Sequence, residues 1–169
     1  LSAKTQFHKL YYHKLGAPQS EDILIFGGEE TRRRYIAGYL TEDERFLVVT
    51  AATSTTGNEL YIMDLTDPKG TLVNIVNNFH NDHYVLANEG RRLIIHTNLN
   101  APNNRIVEVD FRNPLPEHWK DIIPETDFVM TASTGGRRIF AEYMVDVKSQ
   151  VRQYDLKGKL EREVELPRM

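Results

Sequence analysis

Residues 40–64 read LTEDERFLVVTAATSTTGNELYIMD. A charged tight turn opens the stretch, and a β-branched run follows. Next come a loop of small polar residues and a second apolar run that ends in Asp64. Short runs rich in Val, Ile, Thr and aromatics, bounded by turn residues, read as strands. The same unit returns twice. Arg45 of ERFLVV aligns with Arg92 of RRLIIHT and Arg138 of RRIFAEY, at steps of 47 and 46. Asp64 of LYIMDL aligns with Asp110 of RIVEVDF and Asp155 of VRQYDL, at steps of 46 and 45. Two independent marks on one period identify a repeat protein.

Outward from this stretch the units fill in. KLYYHKLG (9–16) and DILIF (22–26) read as strands around a Pro18 turn, and YIAGYL (35–40) follows with Ala37 and Gly38 small enough for close packing. TLVNIV, HYVLA, WKDIIP, DFVMTA and LEREVEL supply the remaining strands, and PEHW at 116–119 reads as one helical turn. Each unit holds four short strands in about 46 residues, the signature of a β-propeller blade. One such sheet cannot bury both its faces; neighbours stacked face to face can. The expected blades are 35–76, 82–124 and 126–166, with 9–26 as the last two strands of a preceding one. About three and a half blades do not close a ring, so the chain reads as one partial propeller domain, a piece of a larger protein.

Composition limits the partners. The 169 residues carry a net charge of -3, with 40% hydrophobic and 27% charged residues. That balance offers no basic field for nucleic acid or an anionic membrane. No apolar run reaches the roughly 18 residues that span a bilayer. Cysteine is absent, which removes disulfides, thiolate metal sites and a cysteine nucleophile. The compartment stays open between cytoplasm and periplasm, since cysteine-free chains occur in both.

Four stretches carry a specific likeness: KLYYHKLGAPQSEDIL (9–24), YLTEDERFLVV (39–49), NEGRRLIIHTNLNAPNNRIVEVDF (88–111) and WKDIIPE (119–125). They resemble prolyl oligopeptidase, in order and in spacing, over nearly the whole chain. The resemblance implies an all-β partial propeller taken from the middle of a seven-bladed ring. It implies a parent serine peptidase that cuts short peptides after proline, with the α/β-hydrolase catalytic domain of the same chain as partner. In such a protein the propeller limits access to small, proline-containing peptides. The loop from Thr50 to Gly57 corresponds to one that reaches toward the catalytic cavity in that family and commonly carries an arginine, in some members also a cysteine. Here Ala51 and Ser54 fall near those places, so Ala51, Thr53, Ser54 and Thr55 are the expected substrate-facing residues.

No catalytic residue is expected within this chain. The hydrolase nucleophile needs G-x-S-x-G on a strained strand-to-helix turn. Ser2, Ser20, Ser54, Ser133 and Ser149 all lack the paired glycines, and Ser133 comes nearest, with Gly135 after it but Thr131 before. His80 and His83 form H-x-x-H, but strand alternation sends residues three apart to opposite faces. A polar turn accounts for HNDH better than a metal site, and no cofactor is expected. Arg32, Arg33 and Arg34 read as a solvated linker offset by Glu29 and Glu30. The repeated aspartates fit a structural role, accepting N–H bonds from the turn that follows. The alternative is a stand-alone propeller module that binds a peptide or protein. Truncation also exposes blade faces, so self-association is expected.

Overall fold

The computed structural model describes residues 6–166; Ser2 lies outside them. Among the described residues, fourteen strands form three four-stranded antiparallel sheets and one two-stranded sheet. The short sheet pairs β1 (Leu10–Tyr12) with β2 (Ile23–Phe26). β3 (Tyr35–Leu40), β4 (Phe46–Ala52), β5 (Glu59–Asp64) and β6 (Val73–Val76) form the second, in chain order. The third holds β7 (His83–Glu89), β8 (Arg92–Thr97), β9 (Arg105–Asp110) and β10 (Lys120–Ile123). The fourth holds β11 (Met130–Gly135), β12 (Arg138–Val145), β13 (Lys148–Asp155) and β14 (Leu160–Val164). The architecture is that of a partial β-propeller. Single 3-10 turns at Gln19–Glu21 and Pro116–His118 are the helical segments among the described residues.

The chain divides into two compact units, residues 1–40 with 45–80, and residues 41–44 with 81–169. In the first, Val48 and Val49 sit side by side on β4 with no exposure, although alternation points them to opposite faces. A strand buried on both sides is what a stacked sheet requires. Gly38 on β3 receives the Leu10 side chain from the short sheet: a Cβ there would lie 2.6 Å from Leu10 Cδ2. Phe26 meets Tyr61 with ring centroids 4.6 Å apart. The close packing expected at Gly38 is therefore present.

In the second unit Leu93, Ile94 and Ile95 are buried in succession. Ile94, Ile106 and Ile123 from the third sheet join Ile139, Ala141 and Tyr143 from the fourth in one apolar cluster. At roughly 25 cal/mol per Å² of apolar surface removed from water, this sheet-on-sheet contact is a main stabilising term of the unit.

The last strand pairing of every four-stranded sheet slips register, at Leu60/Tyr61, Asp121/Ile123 and Gln153/Tyr154. A bulge there adds twist and blunts an outer edge against pairing with other chains. Three sequence expectations shift. β1 ends at Tyr12, well short of Gly16. The STGG turn contracts because Ser133 to Gly135 pair with β12. The arginines are not equivalent by register: opposite Asp64, Asp110 and Asp155 stand Phe46, Arg92 and Arg138. Arg45 instead corresponds to Arg91, since each offers its carbonyl to the residue after the aspartate, Leu65 or Phe111.

Candidate functional site

The aspartates at the strand ends bind backbone as expected. Thr66 N–H donates to Asp64 Oδ1 at 3.0 Å, Arg112 N–H to Asp110 Oδ1 at 3.0 Å, and Lys157 N–H to Asp155 Oδ1 at 2.9 Å. Asp64 also accepts from Thr66 Oγ1 at 2.6 Å and from Arg45 Nη2 at 2.8 Å. Burial alone would raise its carboxyl, but the bonds from Arg45 and Thr66 outweigh that and hold it at about 2. These carboxylates close turns.

In the second unit, turn residues spaced by one repeat are bonded together. Asn88 Nδ2 donates to Asp43 Oδ2 at 2.8 Å, and Arg137 Nη2 reaches Glu89 Oε1 at 2.8 Å. Arg92 bonds Glu89, Glu108 and the Leu156 carbonyl. The Arg92 bond, working against burial, holds the Glu89 carboxyl below its usual range. Beside these turns lie a cleft of about 370 Å³, with Asp43, Glu89 and Arg137 on its walls, and another of about 830 Å³, with Arg91, Glu108, Arg112 and Lys120. Both clefts carry charges of both signs.

The loop between β4 and β5 belongs to the first unit. Thr53, Ser54, Thr55 and Thr56 are exposed, whereas Ala51 lies within β4, paired with Ile36 and Glu59 and without solvent exposure. The base of the loop is held firmly. Gly57 has φ +75°, and a Cβ there would run into the Phe79 carbonyl oxygen. Glu59, only 4% exposed, pairs with Arg34 at 3.0 Å, and the Arg34 guanidinium lies 5.4 Å from the Phe79 ring centroid. Burial first, and then the Glu59 carboxylate, push the Tyr61 phenol up. Arg34 is thus not part of a solvated linker. Nothing in the local sequence couples positions 34, 59 and 79; only folding brings them together.

His83 is buried, and its Nδ1 lies 2.9 Å from Thr97 Oγ1. A hydroxyl beside an imidazole is the chemistry of an activated nucleophile. Thr97 has no solvent exposure, however, and its Oγ1 also accepts the Leu99 N–H at 3.0 Å. The pair therefore ties a strand end to its loop. Burial pushes His83 down to about 4, so the ring is neutral at neutral pH. His96 is lowered by burial as well, with Nε2 3.2 Å from the Met130 carbonyl oxygen. Among the described residues no three His, Asp or Glu are grouped to hold a metal ion. Ser133 sits inside β11 opposite Phe140, and Ser149 donates to Glu142 at 2.6 Å. Trp119 donates its indole N–H to the Pro114 carbonyl at 2.8 Å and so fixes the connection before β10.

The family description "Prolyl oligopeptidase, N-terminal beta-propeller domain" matches residues 1–169. The chain belongs to that family. It is 50% identical to a prolyl endopeptidase of Elizabethkingia miricola over 99% of its length, which is 24% of that protein. A prolyl endopeptidase of Elizabethkingia meningoseptica is 47% identical over the same shares, 99% and 24%. A solved structure from a study of two prolyl endopeptidases and their inter-domain dynamics superposes with a TM-score of 0.87. That pair is 27% identical, and the match covers 98% of this chain and 25% of the other. Prolyl oligopeptidase B from Galerina marginata superposes with a TM-score of 0.83 at 25% identity, over 94% of this chain and 23% of that one. This prolyl oligopeptidase propeller chain thus spans about a quarter of the length of the relatives it matches.

Proposed function

We propose that the chain is the non-catalytic propeller portion of a serine peptidase that cuts short peptides after proline, and that it governs which peptides reach the active site. Its partner is an α/β-hydrolase domain of the same parent chain. The likeness to prolyl endopeptidases over 99% of this sequence is the observation that carries the reading. The antiparallel sheets agree with it, because a hydrolase nucleophile needs a strand-to-helix turn that an all-β chain does not build. The mechanism is steric: rigid stacked sheets exclude folded proteins and admit flexible peptides, while bond cleavage takes place in the other domain. The exposed loop at Thr53, Ser54 and Thr55 is the part of the chain that faces substrate.

The test is a chromogenic Gly-Pro reporter peptide offered to the full-length protein and to the 169-residue chain alone. The full-length protein is expected to release the chromophore and the short chain to release none. Turnover by the short chain, or none by the full-length protein, would sink the reading. Taken alone, the short chain also associates with itself on this reading, because Tyr12, Leu15 and Ile23 beside the two-stranded sheet are 55%, 96% and 58% exposed.

A further inference from the structure

We propose that the cleft between the ends of β8 and β9 and the β9–β10 connection binds a small phosphate ester that carries a planar ring, a nucleoside monophosphate in class. Arg91, Arg112 and Lys120 hold the phosphate, and the ring rests against Trp119 and His118. The inference does not depend on the peptidase reading and concerns one sheet of the second unit.

Strand register builds the floor of the cleft. Ile94 belongs to the apolar cluster shared with the fourth sheet. Glu108 stands opposite Ile94, and Lys120 opposite Glu108, so the three share a face. Arg92, two residues before Ile94, lies on that face too, as does its partner Asp110. The face therefore turns from apolar to charged toward the strand ends. Residues 111–119 form the wall, and their own bonds fix it. Pro114 and Pro116 restrict the backbone. Asn113 N–H donates to the Asp110 carbonyl at 2.8 Å, and Trp119 N–H to the Pro116 carbonyl at 3.2 Å. The Trp119 indole N–H holds the Pro114 carbonyl at 2.8 Å. The resulting space of about 830 Å³ is within the range of small-molecule sites.

Its charges are unevenly spent. Four Arg or Lys side chains and three carboxylates line it, in a chain whose acids outnumber its bases 24 to 21. Arg92 is committed to Glu89, Glu108 and the Leu156 carbonyl. Glu108 is thereby partnered, and Asp110 accepts the Arg112 N–H to close its turn. The Arg112 guanidinium lies 3.7 Å from Asp110, too far for a hydrogen bond, and is 65% exposed. Among the described residues the Arg91 and Lys120 side chains form no ion pair. Two guanidiniums and one ammonium thus border a single opening with their donors unspent. A phosphate monoester supplies about two negative charges and three acceptor oxygens. Guanidinium N–H pairs match that geometry. A bare phosphate fills little of the space, and the Trp119 N–H is already bonded. What Trp119 and His118 offer is ring surface, on which a flat group stacks.

The experiment is titration calorimetry on the full-length protein, with adenosine monophosphate, inorganic phosphate and adenosine as probes, at low and at physiological salt. Amide hydrogen exchange is followed at residues 111–120. The variants are Arg91→Gln, Lys120→Gln, both together, and Lys148→Gln, an exposed cation on β13 away from the cleft. The monophosphate is expected to bind more tightly than phosphate, and adenosine not measurably. Arg91→Gln and Lys120→Gln should each weaken it roughly tenfold, and the double variant should lose it. Lys148→Gln should leave affinity unchanged, and the bound monophosphate should slow exchange at 111–120. Should either cleft variant fail to fold, Arg112→Gln takes its place with the same expected loss. No heat and no protection with the monophosphate would overturn the proposal, as would full affinity in the double variant. Equal loss in Lys148→Gln would overturn it as well, since general charge attraction would then account for the binding. Phosphate or adenosine matching the monophosphate would do the same, because the site would then read only half of the ligand.

Discussion

At Asp64 one carboxylate closes the turn after β5 and pairs with Arg45, so its ionisation is coupled to folding. Its folded value of about 2 lies below the ordinary 3.8, which means the unfolded chain binds the proton more readily. The stabilisation is complete above the unfolded value and is lost as pH falls toward 2, an amount of about 2 kcal/mol. Asp64→Asn is expected to flatten the acid limb of a urea-melt series between pH 5 and pH 2. His83 works in the opposite chemical direction with the same sign. The folded ring resists protonation down to about 4, whereas the unfolded ring gains a proton near pH 6.5. Stability therefore declines from pH 6.5 to 4, by up to about 3 kcal/mol. Urea melts at pH 7 and 5 should differ in the unsubstituted 169-residue chain and differ much less in His83→Gln. Gly57 gives a third residue-scale test. Gly57→Ala drives a Cβ into the Phe79 carbonyl at φ +75°, whereas Gly136 at φ +54° has open space around it. Gly57→Ala is expected to cost about 3 kcal/mol or more, and Gly136→Ala about 1 kcal/mol, in thermal melts.

The β12–β13 hairpin shows a conflict between local sequence and element geometry. Its two-residue turn places Asp146 at φ 47° and Val147 at φ 63°. Turns with both central residues at positive φ match the twist of the flanking strands, but they favour Asn-Gly. A β-branched valine is strained there, and its side chain is 93% exposed, so no burial offsets the cost. Val147→Gly is expected to stabilise the second unit by about 1 kcal/mol, read as a higher urea midpoint with unchanged m. The strands themselves were legible because β-branched runs between turn residues leave few alternatives; β3, at Tyr35–Leu40, lies where YIAGYL placed it. Boundaries near glycine were less legible. STGG has turn composition, yet pairing with β12 carries β11 through to Gly135, since partner strands offer hydrogen bonds that local preference does not foresee.

For the whole molecule, the repeat period predicted the kind of sheet, and the family match supports the same architecture over the full 169 residues. The expected self-association belongs at this scale. Tyr12, Ile23 and Leu24 leave apolar surface on the two-stranded sheet open to water. Sedimentation velocity of the 169-residue chain should show dimers or larger species that grow with added sulfate, which strengthens apolar burial. Ile23→Lys with Leu24→Lys should shift the profile toward monomer. The 169-residue chain staying monomeric at high concentration would remove the expectation.

What the sequence determined by itself is the all-β class, the strand count per repeat and the turn-closing aspartates, because strand alternation and turn chemistry act over a few neighbouring residues. The tertiary structure alone decided that Arg45 corresponds to Arg91 and not Arg92, that Arg34 neutralises Glu59 beside Phe79, and that the Thr97–His83 pair is sealed from solvent. Each depends on register or burial between segments far apart in the chain, and a one-residue slip of register sends a side chain to the other face of its sheet.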